Sequence, residues 1–574
     1  MRVSRSRPRL AIAVLLVLVV GIAFIVRLVD IQVVSASALT AEAADKRGLT
    51  SIVYGTRGAI VDATGAVLAD SVERYELSVS PRVVLGTAGV NGPLIPALES
   101  IAAITAQDPT VLLTSIQADP ESDYLVLATD LTLQQFDDLR ALDISWDYYD
   151  RIAGRSYPNG AIAGNLVGFL GTDKPLAGLE SSENECLASE NGEVSYERSE
   201  DGVRIPDTEV VLGDPAKDGG TLQLTIDRDL QWYVQERMAK TAAEFGAVWA
   251  SAVVIRVSDG AIMALSDWPT LDPNEFRDAD PGITGARSFA IPYEPGSIMK
   301  PINAAIAIDY GSVTPTTQLT SPATMDFGEG GFISDVVWHE PNITVTGSLV
   351  YSSNTGTAQI ANSVPDDVRR DYMEAFGFGD YTEVDFTGES AGDLGDYWDA
   401  RTRLTVGFGQ GMTSTIVQMG SAFQTIANNG LRMPVKLVES CTAADGTIVP
   451  RPADEPVQVI SAGAAQQTVA MMETVAMNAG VWDKLQIPGY RIAAKSGTAE
   501  VAEGGVYTDQ VVVSYAGIAP ADNPQYVVVV SAGLNYSGFS SRVAPTLHDI
   551  MAQTLTTFRV LPSQGVAADL PIEW

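Results

Sequence analysis

The sequence predicts an α+β fold held behind a single N-terminal membrane anchor, and three observations predict it. An uncharged apolar run, Leu10 to Val26, stands close to the N-terminus. Residues from about 30 to 220 form a mixed, loop-rich region of short strands. From Thr221 onward the chain turns to long apolar strands near both ends with helices between them, the order expected when helices pack on an antiparallel sheet. At 574 residues the chain is too long for one compact core.

Taken in order, the first segment is an anchor. The run of Leu10 to Val26 is just long enough to cross a bilayer if its flanks contribute. Arg2, Arg5, Arg7 and Arg9 precede it and fix the N-terminus in the cytoplasm. A cleaved signal peptide is the rival reading, because Ala36-Ser37-Ala38 offers a small-x-small site. That site lies well past the apolar run, behind Arg27 and Asp30, so the anchor is expected to stay uncleaved. The expected boundaries are a cytoplasmic tail at 1–9, a transmembrane segment at 10–29, a non-catalytic domain at 30–220 and a catalytic domain at 221–574.

Within 30–220, Ser51-Ile52-Val53-Tyr54, Ala59-Ile60-Val61 and Tyr75 to Val79 are expected strands. Leu94 to Leu142 carries helical periodicity through Ile101, Ile104, Leu112, Ile116 and Leu139. The acidic stretch Glu180 to Asp201 reads as an exposed loop. Beyond Thr221, Leu222 to Ile226 reads as a strand and Leu230 to Phe245 as a helix. Ser251 to Val257 and Ala261 to Leu265 form a hairpin about Asp259-Gly260. Val511 to Ile518 and Gln525 to Ala532 make a second strand pair, split by Pro520 and Asn523-Pro524.

The formal net charge of −35 excludes a nucleic-acid partner, since phosphate binding needs a basic surface. Two cysteines and two histidines without C-x-x-C or H-x-x-x-H spacing leave no zinc signature, and no metal or other cofactor is expected. His339 reads as a loop residue and His548 as a helix-surface one; neither belongs to a G-x-S-x-G context. In an oxidising exterior Cys186 and Cys441 can pair or remain two separate buried thiols.

Chemistry is signalled first at Tyr293-Glu294-Pro295-Gly296-Ser297-Ile298-Met299-Lys300-Pro301. Pro295-Gly296 ends the preceding chain and an apolar run follows, which puts Ser297 at the start of a buried helix with Lys300 on the same face. Free serine is a weak nucleophile, and an amine three residues on can take its proton. Tyr351-Ser352-Ser353-Asn354 then supplies an S-x-N, and Ala493-Ala494-Lys495-Ser496-Gly497-Thr498 a strand-like K-[ST]-G-T.

In that order the three motifs resemble those of the penicillin-recognising serine enzymes, and the chain is similar to the class B penicillin-binding proteins, most of all the cell-division peptidoglycan D,D-transpeptidases. The resemblance extends through Arg57-Gly58-Ala59-Ile60-Val61-Asp62 with Gly65 and Leu68-Ala69, and through Tyr157-Pro158, Gly168 and Gly178-Leu179-Glu180. It continues in Leu224-Thr225-Ile226-Asp227, Gly407-Phe408-Gly409-Gln410-Gly411 and Ala427-Asn428-Asn429-Gly430, so nearly the whole chain is covered. Three positions depart from the family pattern: Ala494 precedes Lys495 where glycine is commoner, serine follows Lys495 where threonine is commoner, and Arg287-Ser288 stands where Arg-Asn is frequent.

The resemblance implies an elongated mixed pedestal followed by a transpeptidase domain. It implies catalytic roles for Ser297, Lys300, Ser352 and Asn354, and substrate binding by Lys495, Ser496, Gly497 and Thr498. The nucleophile would be Ser297, its base neutral Lys300, and the oxyanion hole the N–H groups of Ser297 and Thr498. Ser352 would relay a proton, Asn354 would hold Lys300 and the substrate amide, and Lys495 would meet the substrate carboxylate. Gly497 would leave the strand edge clear for the substrate. Expected ligands are peptidoglycan stem peptides and β-lactams, and expected partners are a membrane-embedded glycan polymerase and divisome proteins. The alternatives are a side-wall elongation transpeptidase, a D,D-carboxypeptidase or β-lactamase, and a non-catalytic β-lactam sensor or scaffold. The large pedestal and single anchor favour biosynthesis, and Arg27 to Gln32 with the moderate length favours division.

Overall fold

The structure, a computed structural model, describes residues 6–37, 48–87, 94–171, 174–197, 210–450, 454–504 and 506–574. Arg2, Arg5, Ala38 and the end of the acidic stretch at 198–201 lie outside the described residues. The chain divides into two compact units that do not follow chain order: Met1–Thr56 with Ser189–Asp218, and Arg57–Ala188 with Gly219–Trp574.

The first unit opens with the helix Ser6–Val29, and the apolar span Pro8–Val34 reaches a mean hydropathy of 3.1 with none of it buried. At 1.5 Å per residue such a helix covers about 36 Å, more than the ~30 Å of hydrocarbon in a bilayer. Its length and composition fit a single-pass anchor. The same unit contains a three-stranded antiparallel sheet of Gly48–Val53, Gly192–Glu197 and Val210–Leu212.

The second unit is built on five antiparallel strands in the order Ile262–Trp268, Trp249–Arg256, Tyr526–Leu534, Val506–Ala519 and Ala493–Glu503. Tyr526–Leu534 is buried along its whole length. A strand covered on both faces reads as a continuous apolar run, which is why this one shows no polar alternation. The two-residue period sends Val527 and Val529 into one core with Val253, Ile255 and Ile302. It sends Val528 and Val530 into another with Ala252, Val254, Leu230 and Ile550. The helices Arg228–Phe245 and Ala544–Thr557 close the second core, while Lys300–Asp309, Ile416–Ala427 and Ala462–Asn478 fill the first. The expected α+β arrangement is therefore present, with helices on both faces of the sheet.

A second sheet in this unit runs Ile448–Val449, Val438–Thr442, Thr221–Leu224, Ile60–Val61, Val67–Val79 and Leu125–Leu131, with Asp147–Ser156 pairing beside Val67–Val79. Cys441 lies opposite Leu222 in it, and Gly220 N–H donates to Cys186 O at 2.7 Å. This brings the two thiols together, and of the two open readings the structure contains the disulfide Cys186–Cys441. In the chain-entropy picture a bridge spanning 255 residues stabilises the fold by about 5 kcal/mol.

Two expectations are corrected. The helical run Leu94 to Leu142 is two helices, Leu94–Thr105 and Pro109–Ala118, then the strand Leu125–Leu131, then the helix Leu133–Arg140. Leu125-Val126-Leu127-Ala128 is too short for its period to separate strand from helix, and pairing with Val67–Val79 decides it. The acidic stretch is not simply an exposed loop: Glu180 is fully buried, Glu183 nearly so, and Gly192–Glu197 is a strand. Arg57 Nε donates to Glu180 Oε2 and Arg155 Nε to Glu180 Oε1, both at 2.7 Å. One carboxylate thus holds two guanidinium groups that are themselves 13% and 5% exposed.

Removing one member of a buried charge group strands the others without water. Glu180→Ala is therefore expected to cost about 3–5 kcal/mol in a denaturant titration. A loss under about 1 kcal/mol would show that the cluster is solvated and not structural.

Candidate active site

Gly296 takes φ +58°, a left-handed conformation that glycine adopts without a Cβ penalty. The chain then enters a 3-10 turn, Gly296–Met299, which continues as the helix Lys300–Asp309. Every residue from Lys300 to Ile308 is buried, so this helix runs through the core and not over it. Ser297 is half-buried at its head, and as the second residue of the turn its N–H has no partner within the helix.

Behind this turn lies the Gly407–Gly411 segment. Gly296 N–H donates to Gly409 O at 3.0 Å, and Tyr293 and Ser414 exchange both backbone bonds at 2.9 and 3.0 Å. Glu294 Oε1 accepts from Gly411 N–H at 2.9 Å, and Tyr507 Oη donates to the Glu294 carboxylate at 3.2 Å. In front lies the edge strand Ala493–Glu503. A Cβ on Gly497 would stand 2.9 Å from Ile298 N, a separation that real Cβ atoms essentially never show. The glycine expected to clear the strand for substrate thus clears it for the serine turn.

The S-x-N segment arrives from the helix Val345–Val350 and departs into the helix Asn354–Asn362. Between them Ser352 is held at φ +55°, uncommon for a residue with a side chain. That conformation aims both its carbonyl and its hydroxyl at Lys300. Lys300 Nζ donates to Ser352 O, to Asn354 Oδ1 at 2.8 Å and to Ser352 Oγ at 3.3 Å. Lys495 Nζ donates to the same Ser352 Oγ at 3.0 Å and to Ser496 O at 2.8 Å. One hydroxyl therefore lies between two lysines.

Both amines are buried, Lys300 completely and Lys495 to 1% exposure. Burial pushes the Lys300 ammonium well below the usual lysine range, and the positive charge of Lys495 pushes it further, while Asp335 opposes both. Lys495 is pushed down to about 7 by burial. The Phe408 ring lies 5.9 Å from Lys300 Nζ.

Of the expected residues, Lys300, Ser352, Asn354 and Lys495 meet in one hydrogen-bonded cluster. Ser297 lies in the turn that leads into the same helix, but among the described residues its hydroxyl makes no hydrogen bond to Lys300. The strand pleat turns Ser496 and Thr498 to the side opposite Lys495; Ser496 lies across the ladder from Tyr515, and Thr498 Oγ1 accepts from Ser540 N–H at 3.3 Å. Of the Arg287-Ser288 pair noted in the sequence, Arg287 lies 4.0 Å from the Trp249 ring, and Ser288, the residue that departs, donates to the buried Asp267 through both N–H and Oγ. No motif flags Asp335, Phe408 as a lysine neighbour, or Glu294 and Tyr507 as a pair. Only the fold brings them to the cluster.

The description "Penicillin binding protein transpeptidase domain" fits residues 250–552, and "Penicillin-binding Protein dimerisation domain" fits residues 52–224. Penicillin-binding protein PbpB of Mycolicibacterium smegmatis is 33% identical, over 96% of this chain and 90% of its own. Peptidoglycan D,D-transpeptidase FtsI of Escherichia coli K12 is 29% identical over 96% of this chain and 92% of its own. A peptidoglycan synthetase from Bifidobacterium adolescentis superposes with a TM-score of 0.72 at 30% identity, over 92% of this chain and 100% of that one. Penicillin binding protein 3 from Mycobacterium tuberculosis, complexed with ampicillin, gives a TM-score of 0.70 at 27% identity, over 91% of this chain and 100% of that one. With the transpeptidase domain covering more than half of the chain and a relative above 30% identity along nearly all of it, this chain belongs to the class B penicillin-binding proteins.

Proposed function

We propose that the cluster carries out serine D,D-transpeptidation of peptidoglycan stem peptides in two acyl transfers. The observation that carries this reading is the pair of buried lysines joined through Ser352, beside the turn that bears Ser297. Neutral Lys300 takes the Ser297 proton as Oγ attacks the carbonyl of the penultimate D-Ala. The N–H groups of Ser297 and Thr498 receive the developing oxyanion. The proton passes by way of Ser352 to the departing D-Ala nitrogen as the peptide bond breaks. An amine of a neighbouring stem then attacks the ester, loses its proton along the same route, and regenerates Ser297. Charged Lys495 holds the substrate carboxylate, and Asn354 orients both Lys300 and the substrate amide.

Similarity to proteins named FtsI and PbpB along at least 95% of this chain supports a place in septal synthesis over side-wall elongation. The arginines before the apolar helix support a cytoplasmic N-terminus and an extracytoplasmic catalytic unit. Glycan polymerisation then falls to a separate membrane-embedded polymerase, working with divisome proteins. Reporter fusions after residue 40 should report the exported compartment; a cytoplasmic signal would overturn the orientation.

A β-lactam resembles the D-Ala-D-Ala terminus, so a fluorescent penicillin should leave an adduct on the peptide containing Ser297. Ser297→Ala should abolish it, and Lys300→Ala should slow acylation by about 10²–10⁴-fold. The second-order acylation rate should also be bell-shaped in pH. It rises as Lys300, depressed by burial, loses its proton, and falls above about 7 as Lys495 loses the charge that binds carboxylate. Lys495→Arg keeps a cation and should remove the alkaline limb. An adduct on another serine, or an alkaline limb unmoved in Lys495→Arg, would sink the assignment.

A further inference from the structure

The S-x-N segment is held from behind by a loop that contributes nothing to the three motifs. The hairpin Thr324–Asp326 with Phe332–Ser334 ends at Asp335, whose N–H donates to Ala323 O at 2.9 Å. The Asp335 side chain is 2% exposed and faces the head of the helix Asn354–Asn362. Its Oδ1 accepts from Asn354 N–H and from Thr355 N–H at 3.0 Å. Its Oδ2 accepts from Ser353 Oγ and from Thr355 Oγ1, each at 3.0 Å. Ser321 Oγ closes the same group against Ser353 Oγ at 2.8 Å and Thr355 Oγ1 at 2.6 Å.

The remaining contact of Oδ2 is His339 Nε2 at 2.8 Å, from a side chain only 1% exposed. The other ring nitrogen, Nδ1, lies 2.7 Å from Glu340 O. Both ring nitrogens thus face oxygen acceptors, and the ring is held at both edges. The ring stacks on Tyr351 with centroids 5.1 Å apart, and Tyr351 Oη in turn donates to Glu573. The exposed residues Val336, Val337 and Trp338 thus stand between two buried anchors, Asp335 and His339.

We propose that Asp335, paired with His339, is the positioning residue of the Ser352–Asn354 segment. This rests on the assignment of Ser297 and Lys300 made above. Ser352 is held in a left-handed conformation that its own side chain disfavours, so neighbours on both sides must fix it. Lys300 does so from the front and Asp335 from behind, through Asn354 and Thr355. Asn354 is thereby placed with Oδ1 toward Lys300 and Nδ2 donating to Ser334 O at 3.0 Å. The charged groups facing Lys300 are Lys495 from the edge strand and Asp335 from this loop, and they act on it in opposite directions. Asp335 therefore sets both where the S-x-N groups stand and how readily Lys300 holds its proton.

The test is the acylation rate of the full-length, detergent-solubilised protein with a fluorescent penicillin, followed across pH and with adduct mapping. In the wild type the adduct must map to Ser297; if it does not, the underlying mechanism fails and not this inference. Asp335→Asn keeps the shape and one acceptor but removes the charge. It should slow acylation by about 100-fold, the cost of a misplacement near 1 Å. Its acid limb should move to lower pH, because Lys300 loses the one charge that opposes its depression. A merely structural role would reduce the yield of folded protein without moving that limb. His339→Phe keeps the stack on Tyr351 and removes both ring nitrogens; it should slow acylation to a similar extent, and the double variant should be little worse than either single one. Wild-type rates with an unmoved acid limb in Asp335→Asn overturn the proposal. If that variant does not fold, a wild-type rate in His339→Phe overturns it instead.

Discussion

Two lysine side chains buried around a single serine hydroxyl are the constraint on which the rest of this site depends. An ammonium taken out of water loses its hydration, and a second one close by adds repulsion, so the pair cannot both carry charge comfortably. The asymmetry between them resolves this. Lys300 is pushed well down by burial and by Lys495, and once it is neutral it no longer repels Lys495, which burial brings to about 7. The site thus contains one amine poised to be neutral and one poised to be charged, which is the division of labour that acyl transfer to and from a carboxylate-bearing substrate needs. Ser352 touches both, at 3.3 and 3.0 Å. Its hydroxyl can accept from an ammonium or donate to the lone pair of a neutral amine, so it can follow either state without moving.

That arrangement dictates the local architecture. Lys300 must sit where water is absent, and the helix Lys300–Asp309 is accordingly buried along its length. Lys495 must come from a strand that still has an open side, and Ala493–Glu503 is the edge of the five-stranded sheet. Bringing that edge against the head of the helix leaves no room for a side chain at 497. Gly296 is needed for a different reason, since its positive φ turns the chain into the helix.

What was legible in the sequence follows the same division. Motifs whose function is local could be read: the proline and glycine before Ser297, the three-residue step to Lys300, the strand-like run around Lys495. The sheet was legible because Val511 to Ile518 and Gln525 to Ala532 are apolar at nearly every position, as strands covered on both faces must be. Glu180 was misread because an acidic run looks solvated until Arg57 and Arg155, 123 and 25 residues earlier in the chain, are folded onto it. Asp335 was missed for the same reason, since its partners at 353 to 355 are neither in its own element nor at a recurrent spacing. The cysteines could be paired only once Thr221–Leu224 was placed between Ile60–Val61 and Val438–Thr442.

Part of the core runs across the expected boundary at 220/221. Ile60, Leu68, Tyr157, Leu166 and Leu179 belong to the same apolar cluster as Ile302, Met419 and Val529. Asp62, in the first of the motifs outside the catalytic region, is 2% exposed and accepts from Thr64, from Ala66 and from Arg228 N–H at the head of the helix Arg228–Phe245. Residues 60–69 and 157–187 therefore share the core of the residues beyond 220 and are joined to them by the second sheet and a disulfide, while Leu77 to Trp146 pack into a core of their own. Arg57 pairs with Glu180 and Asp62 accepts from Arg228 N–H, so the motifs Arg57 to Asp62 and Gly178 to Glu180 supply joints between these elements.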